Sequence, residues 1–214
     1  LGVTLYEAGK AEEALASYTR AIELKPDYAE AHSNLGVVLY EAGRAEEALA
    51  SYTRAIELAP GFVEAHSNRG VVLTSLGKLR EAAASFEAAL AISPGYATAH
   101  RHLSSVKVYR AGDPQLQQML QLGASGTLSV QDRVSLSFAL GKAYGDLGEY
   151  DTAFSYLVEG NRLHRRGLHY DITRTRNSAA EVMSAFAADL ATISAGSHDP
   201  AGAAARPIFI VGMP

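Results

Sequence analysis

The last eight residues of this 214-residue chain, PIFIVGMP, have a pattern that could bind phosphate. Residues Ile208–Val211 form a continuous apolar run, which is typical of a strand buried on both faces of a parallel sheet. Gly212 breaks the run. Phosphate-binding loops begin in this way, because the N–H groups of the loop and of the next helix hold the phosphate. We therefore expect Gly212, Met213 and Pro214 to be the entry to such a loop.

Two asparagines, Asn34 and Asn68, stand 34 residues apart and suggest a second kind of chemistry. An asparagine side chain both donates and accepts hydrogen bonds, so it can hold a peptide backbone without reading the peptide's sequence. We predict that both residues contact a bound peptide. The alternative is that they are solvated polar positions that were copied when the segment duplicated.

Three histidines, His32, His66 and His100, share the same spacing. Equivalent atoms of stacked helical repeats lie roughly 10 Å apart, whereas bonds from histidine to zinc are about 2 Å long. The three side chains therefore cannot share one metal ion. We predict that they are helix-packing residues that were copied with the repeat, and we assign no metal site.

The elements that position these residues follow from a repeat. Residues Leu1–Pro26 and Leu35–Pro60 differ at only three of 26 positions, and a looser third copy follows at the same 34-residue offset. A fixed period of this length indicates a stacked array of helix–turn–helix units. In such an array each unit buries its apolar face only against its neighbours.

Each copy has the residues that a helix pair needs. In the second copy Gly43 ends the first helix in a left-handed conformation, and Pro60 stops the second helix. Gly36 and Ala48 are small, and we predict that the two helices cross there because larger side chains would force them apart. The equivalent small residues in the other copies are Gly2, Ala14, Gly70 and Ala82.

These positions resemble the tetratricopeptide repeat. The residues that match that family's pattern are Leu35, Gly36, Ala48, Tyr52, Ala55 and Pro60. The resemblance covers roughly residues 1–110 and implies an all-α, right-handed superhelix of antiparallel helix pairs. It also implies protein or peptide binding on the concave face. Similar arrays in O-linked glucosaminyltransferases use a ladder of asparagines, which implies that role for Asn34 and Asn68.

We divide the chain into four parts. Residues 1–110 form the array, with about three to three and a half repeats. The first helix of the fourth repeat is expected over residues 97–109. Residues 111–166 form divergent, repeat-like helical pairs, with a short helix near 116–122 and a loop at GASGT (123–127). Residues 167–198 hold a helix and a helical linker. Residues 199–214 hold a linker and one terminal β-strand, the first strand of a truncated P-loop-like α/β domain.

The order of these parts resembles bacterial tetratricopeptide-repeat sulfotransferases. The resemblance is carried by the repeats, the segment LSFALGKAYGDLGEYDTAF (136–154) and the final PIFIVGMP. It implies an enzyme that uses 3′-phosphoadenosine 5′-phosphosulfate as its donor substrate. Gly212, Met213 and Pro214 would open the loop that holds the 5′-phosphosulfate. No catalytic residue is assigned, and we expect the chain itself to be a non-catalytic fragment.

Two other functions stay open. The first is a nucleotide hydrolase or kinase with a P-loop and helical repeats, because such domains also begin with an apolar strand that runs into glycine. The second is a scaffold that has no catalytic domain and only binds partner proteins. The site that would decide between an enzyme and a scaffold is not in the sequence, and the fold class alone does not settle it.

The composition excludes several classes of protein. The net charge is −4, so no global basic excess favours nucleic acid. No apolar run of about 18 residues exists, so we predict no membrane span. The chain has no cysteine, which excludes disulfides and thiolate metal sites. We expect a bacterial cytoplasmic protein, and we interpret the sequence as a fragment because it begins inside a repeat without Met.

Overall fold

A computed structural model describes residues 2–167 and, beyond them, the helical positions 177, 181 and 184. The chain divides into two compact units, Leu1–Leu168 and His169–Pro214, and every helix named below lies in the first. Residues 2–167 form α-helices joined by short turns, and no β-strand occurs among them. The helices are α1 (Gly2–Glu7), α2 (Ala11–Leu24), α3 (Ala29–Glu41), α4 (Ala45–Leu58), α5 (Val63–Ser75), α6 (Leu79–Ile92), α7 (Ala97–Val106), α8 (Pro114–Ala124), α9 (Val130–Asp146) and α10 (Tyr150–Gly167).

Helices α1 to α6 form three helix pairs that stack in chain order. Each pair is closed by a glycine in the left-handed region, as predicted for Gly43, which has φ +76°. The N–H of Gly43 donates to the carbonyl of Tyr40 and that of Arg44 to the carbonyl of Leu39. These bonds satisfy carbonyls that the end of α3 would otherwise leave unpaired.

The small residues of each pair have a more specific cause than predicted. A Cβ at Gly36 would lie 2.8 Å from the ring of Tyr52, so the side chain that requires this glycine belongs to Tyr52. In the third repeat a Cβ at Gly70 would lie 2.5 Å from the ring of Phe86. Contacts this short are not tolerated, so the position must be glycine to let an aromatic ring of the second helix pack directly against the backbone of the first.

The three repeated histidines join helices of neighbouring repeats. The Nε2 atom of His66 lies 2.9 Å from the carbonyl oxygen of Pro60, the residue that precedes the turn into α5. The same bond joins His32 to Pro26 at 3.1 Å and His100 to Pro94 at 2.9 Å. Each imidazole therefore ties the start of a first helix to the end of the preceding second helix.

After α6 the regular packing ends. Helix α7 stops at Val106, three residues before the predicted end at Tyr109, because Lys107 is extended with φ −123° and ψ 162°. The N–H of Tyr109 donates instead to the carboxylate of Asp146, at 3.0 Å. Helix α7 then packs mainly against α6 and α9 rather than α8.

Helix α8 is longer than the predicted segment 116–122. It begins at Pro114, where the carboxylate of Asp113 accepts a hydrogen bond of 2.9 Å from the N–H of Gln115. It ends at Ala124, so the first two residues of the predicted loop 123–127 are helical. The capping aspartate and the proline at the first helical position together fix where α8 starts.

Of the divergent, repeat-like helical pairs predicted within residues 111–166, one is the pair α9 and α10. A Cβ at Gly141 would lie 2.7 Å from the side chain of Leu157, and Gly148 closes the turn with φ +78°. The helix predicted within residues 167–198 lies outside the described residues, except that positions 177, 181 and 184 are helical. The predicted linker and the terminal strand Ile208–Val211 also lie outside them.

Candidate functional site

One stripe of helix α3 is open to solvent. It consists of Glu30, Asn34, Val37 and Glu41, spaced i, i+4, i+7 and i+11, which places all four on one side of the helix. Glu30 and Glu41 are exposed, while Asn34 and Val37 are half-buried. A side chain at the middle of the stripe can therefore reach a ligand and still be held by its neighbours.

The flanks of this stripe are covered. Ala31 and Val38 lie on one side of it and are 2 % exposed, and Ser33 lies on the other side and is 4 % exposed. Helix α3 contacts α5, and α5 contacts α7. The first helices of successive repeats thus stand side by side, with their stripes facing the same way.

The equivalent stripe of α5 consists of Glu64, Asn68, Val71 and Ser75. Asn68 is half-buried, like Asn34. We call the combined stripes the first-helix surface. Its residues are Val3 and Glu7 of α1, Glu30, Asn34, Val37 and Glu41 of α3, Glu64, Asn68, Val71 and Ser75 of α5, and Thr98, His102 and Ser105 of α7.

Side-chain contacts join neighbouring repeats along this surface. The Tyr6 hydroxyl donates a hydrogen bond to the carboxylate of Glu41. That bond, together with burial and the Glu41 charge, raises the pKa of Tyr6 to about 12. One repeat further on, burial is the main cause and the Glu64 carboxylate a second cause of the raised pKa of the Tyr96 hydroxyl. Both tyrosines stay protonated at neutral pH, and the Tyr6 hydroxyl acts as a hydrogen-bond donor.

His102 is the only basic side chain among the thirteen residues of the first-helix surface. It is stacked on Phe86, with ring centroids 5.4 Å apart. Burial is the main cause that lowers the pKa of His102, and the nearby Arg101 charge lowers it further. His102 is therefore neutral at pH 7, and it adds no positive charge to the surface.

A groove of about 500 Å³ lies beside Asn34, Tyr28 and Arg20. In the second repeat the corresponding space is filled by the first turns of α3, and Ala55 there is fully buried. The equivalent Ala21 is only half-buried, because α1 begins at Gly2, the position that corresponds to Gly36 of α3. The groove therefore follows from the length of α1 and does not indicate a ligand.

The other predicted site residues are Gly212, Met213 and Pro214, and they lie outside the described residues. Within residues 2–167 no three His, Asp or Glu side chains come together in a way that could hold a metal ion. None of the helices in that range is both long and apolar enough to cross a membrane.

The sequence analysis missed most of the surface around Asn34 and Asn68. Glu30 and Val37 recur as Glu64 and Val71, and all four fall on the asparagine stripe. The signal was present, because positions four before and three after a helical residue share its face. It could have been found by placing the 34-residue repeat on a helix of 3.6 residues per turn.

Family models described as "TPR repeat" and "Tetratricopeptide repeat" match residues 2–43 and 40–97. An uncharacterized protein of Aquifex aeolicus (strain VF5) is 31% identical over 106 residues. The match covers 50% of this chain and 14% of that relative, so the chain spans a small part of the relative's length.

Among solved structures, the crystal structure of MamA superposes with a TM-score of 0.58 at 18% identity. The superposition covers 79% of this chain and 98% of MamA, and at this identity the match supports the fold alone. An O-GlcNAc transferase mutant of Thermobaculum terrenum has a TM-score of 0.50 at 28% identity, covering 57% of this chain and 24% of that one.

Proposed function

We propose that this chain, which is a tetratricopeptide-repeat protein, binds an extended peptide segment of a partner protein on the first-helix surface. The observation that carries the proposal is the pair Asn34 and Asn68, which lie half-buried at equivalent positions of adjacent repeats. The side-chain hydrogen bonds that α3 and α5 donate inside residues 2–167 come from other residues, namely His32, His66, Arg69, Thr74 and Ser75. Both amides are thus available to a ligand.

The spacing of the two amides suits an extended chain. Packed helices lie about 8–10 Å apart, and an extended peptide in the polyproline II conformation advances about 9 Å over three residues and presents the same side at every third residue. An amide that stands once per repeat can therefore bond the backbone of every third peptide residue. Its N–H donates to a peptide carbonyl and its oxygen accepts from a peptide N–H. Such binding holds the backbone and reads little of the peptide's sequence.

The test is selection of 15-residue peptides from a random displayed library, followed by affinity measurement by fluorescence anisotropy. The double variant Asn34→Ala/Asn68→Ala should weaken binding about tenfold or more, because each lost side-chain bond is worth roughly 0.5–1.5 kcal/mol. Asn161→Ala, on the exposed side of α10, is the control and should leave the affinity unchanged. Equal binding by the wild type and the double variant would overturn the proposal.

A sulfotransferase remains a second proposal, which rests on the sequence PIFIVGMP at residues 207–214. Gly212, Met213 and Pro214 would contact 3′-phosphoadenosine 5′-phosphosulfate in that enzyme. Neither of the two structural matches above is described as a sulfotransferase. The codons that follow Pro214 are the test: Arg-Ser-Gly-Thr/Ser would support the sulfotransferase, and Gly-Lys-Ser/Thr would indicate a nucleoside triphosphate instead.

A further inference from the structure

We propose that the partner segment is cationic, with Lys or Arg side chains that pair with the carboxylates of the first-helix surface. This inference rests on the proposed function, because it names the chemical class of the peptide that Asn34 and Asn68 hold. The surface carries Glu7, Glu30, Glu41 and Glu64, and neither Lys nor Arg occurs at its thirteen positions.

The basic residues of the same helices are turned to other partners. The Arg69 Nε atom of α5 donates to Ser85 Oγ of α6 at 3.0 Å. The Arg101 guanidinium of α7 lies over the Phe138 ring, 5.1 Å from its centre. His102 is uncharged at neutral pH, as its lowered pKa indicates. No described cation therefore neutralises the carboxylates of α3 and α5 from within their own surface.

The second helices show the opposite arrangement. Some of their acidic side chains pair with basic residues three positions away, at 2.7 Å for Arg20–Glu23, 2.6 Å for Arg44–Glu47 and 3.0 Å for Arg54–Glu57. Among the described residues Glu30 and Glu64 make no such ion pair. Part of the negative charge of α2 and α4 is thus paired within those segments, whereas among the described residues the carboxylates of the first-helix surface have no such ion pair.

The carboxylates are spaced so that each could pair with a different basic side chain of an extended peptide. Glu30 and Glu64 stand one per repeat, each one helical turn before an asparagine. They cannot converge on one metal ion, and none is indicated in residues 2–167. An extended peptide held by the two asparagines would present a side chain near each glutamate. Val37 and Val71, one turn further along each helix, offer contact for the aliphatic stem of a lysine or arginine.

The experiment compares three synthetic peptides, (Ser-Val-Lys)5, (Ser-Val-Gln)5 and (Ser-Val-Glu)5, by fluorescence anisotropy at 25 mM and 300 mM salt. The lysine peptide should bind at least tenfold more tightly than the glutamate peptide at low salt. The difference should shrink at high salt, because exposed charges are screened. The double variant Glu30→Gln/Glu64→Gln should reduce the preference about fivefold or more.

The matched control is Glu12→Gln/Glu46→Gln. It removes the same charge from two exposed glutamates that are also 34 residues apart, but at the starts of the second helices α2 and α4. It should keep at least half of the preference for lysine. An equal loss in both double variants would show that only the net charge matters, and it would overturn the inference.

The outcomes separate this inference from the proposed function. If all three peptides bind alike, and binding still depends on Asn34 and Asn68, the peptide site stands and its cationic preference is wrong. If neither these peptides nor the library peptides depend on the two asparagines, the proposed function fails first and the inference fails with it.

Discussion

Phe86 and Leu157 hold equivalent places in two regions of the molecule, and they are packed differently. Phe86 lies over Gly70 in the regular repeats and is 1 % exposed, whereas Leu157 lies over Gly141 in the α9–α10 pair and is 37 % exposed. The ring fills the space between two repeats, while the leucine fills part of it. The regular repeats, residues 2–97, are therefore closed by one copied contact between glycine and an aromatic ring.

The region from α7 to α10 is held by contacts that occur once. The Asp146 carboxylate accepts from the Tyr109 N–H at 3.0 Å and from the Lys142 ammonium at 2.5 Å. The amide of Gln115 reaches the carbonyl of His100 at 3.4 Å. The apolar contact recurs because both of its residues are copied with each repeat. A buried polar contact of the second region, in contrast, is made only if its particular donor and acceptor are both present.

The largest expected effect comes from truncating the two side chains that pack over these glycines, Phe86 and Leu157. Phe86→Ala should lower the free energy of unfolding by about 3–5 kcal/mol, because it removes a buried ring and leaves a cavity. Leu157→Ala should cost about 1 kcal/mol, since its side chain is already partly hydrated. Urea denaturation followed by circular dichroism measures both values. Equal costs would contradict the proposed difference in packing between the two regions.

A smaller effect tests the polar contacts of the second region. Asp146→Ala should cost about 1–3 kcal/mol, because the buried N–H of Tyr109 loses its acceptor. Glu23→Ala is the control: it breaks the exposed ion pair with Arg20 and should cost about 1 kcal/mol or less. The comparison fails if the two variants unfold at the same urea concentration.

The regular repeats could be predicted well from the sequence, because each local sequence feature there is compatible with only one structure. Gly43 had to end α3, and the 34-residue period had to stack the pairs. The end of α7 could not be predicted. Its helical pattern continues past Val106, and what stops it is the carboxylate of Asp146, 40 residues further along the chain than the end of the helix.

The first-helix surface, where we propose peptide binding, was predicted in part for the same reason. Asn34 and Asn68 were visible because they recur next to the Leu-Gly or Arg-Gly pairs that mark each repeat. The charge balance was not visible, because a sequence does not show which glutamates pair. Arg44 and Glu47 are bonded within α4, while Glu30 is left open, and only the geometry separates them.

The smallest effect concerns pH. His100 is fully buried, and burial lowers the pKa of its imidazole, although its bond to the Pro94 carbonyl opposes the shift. The unfolded chain takes up a proton near the ordinary histidine pKa of about 6.5, while the folded chain resists until lower pH. Stability from this group is therefore complete above about pH 7 and is lost as the pH falls below it.

This pH effect distinguishes wild type from a variant. His100→Gln should be less stable at pH 7, because it loses the bond to Pro94, but its stability should fall less between pH 7 and pH 5. Urea titrations at the two pH values measure both slopes. An equal fall in both proteins would mean that His100 does not contribute to the pH dependence.

The most direct test of peptide binding is an NMR titration that follows side-chain amide signals. A library-selected peptide is added to the 15N-labelled chain, and the signals of Asn34, Asn68 and the reference Asn161 are recorded. The first two should shift together in a saturable way, while the Asn161 signal stays in place. Saturable shifts that are confined to α2, α4 or α10, with the Asn34 and Asn68 signals unchanged, would contradict a binding site on the first-helix surface.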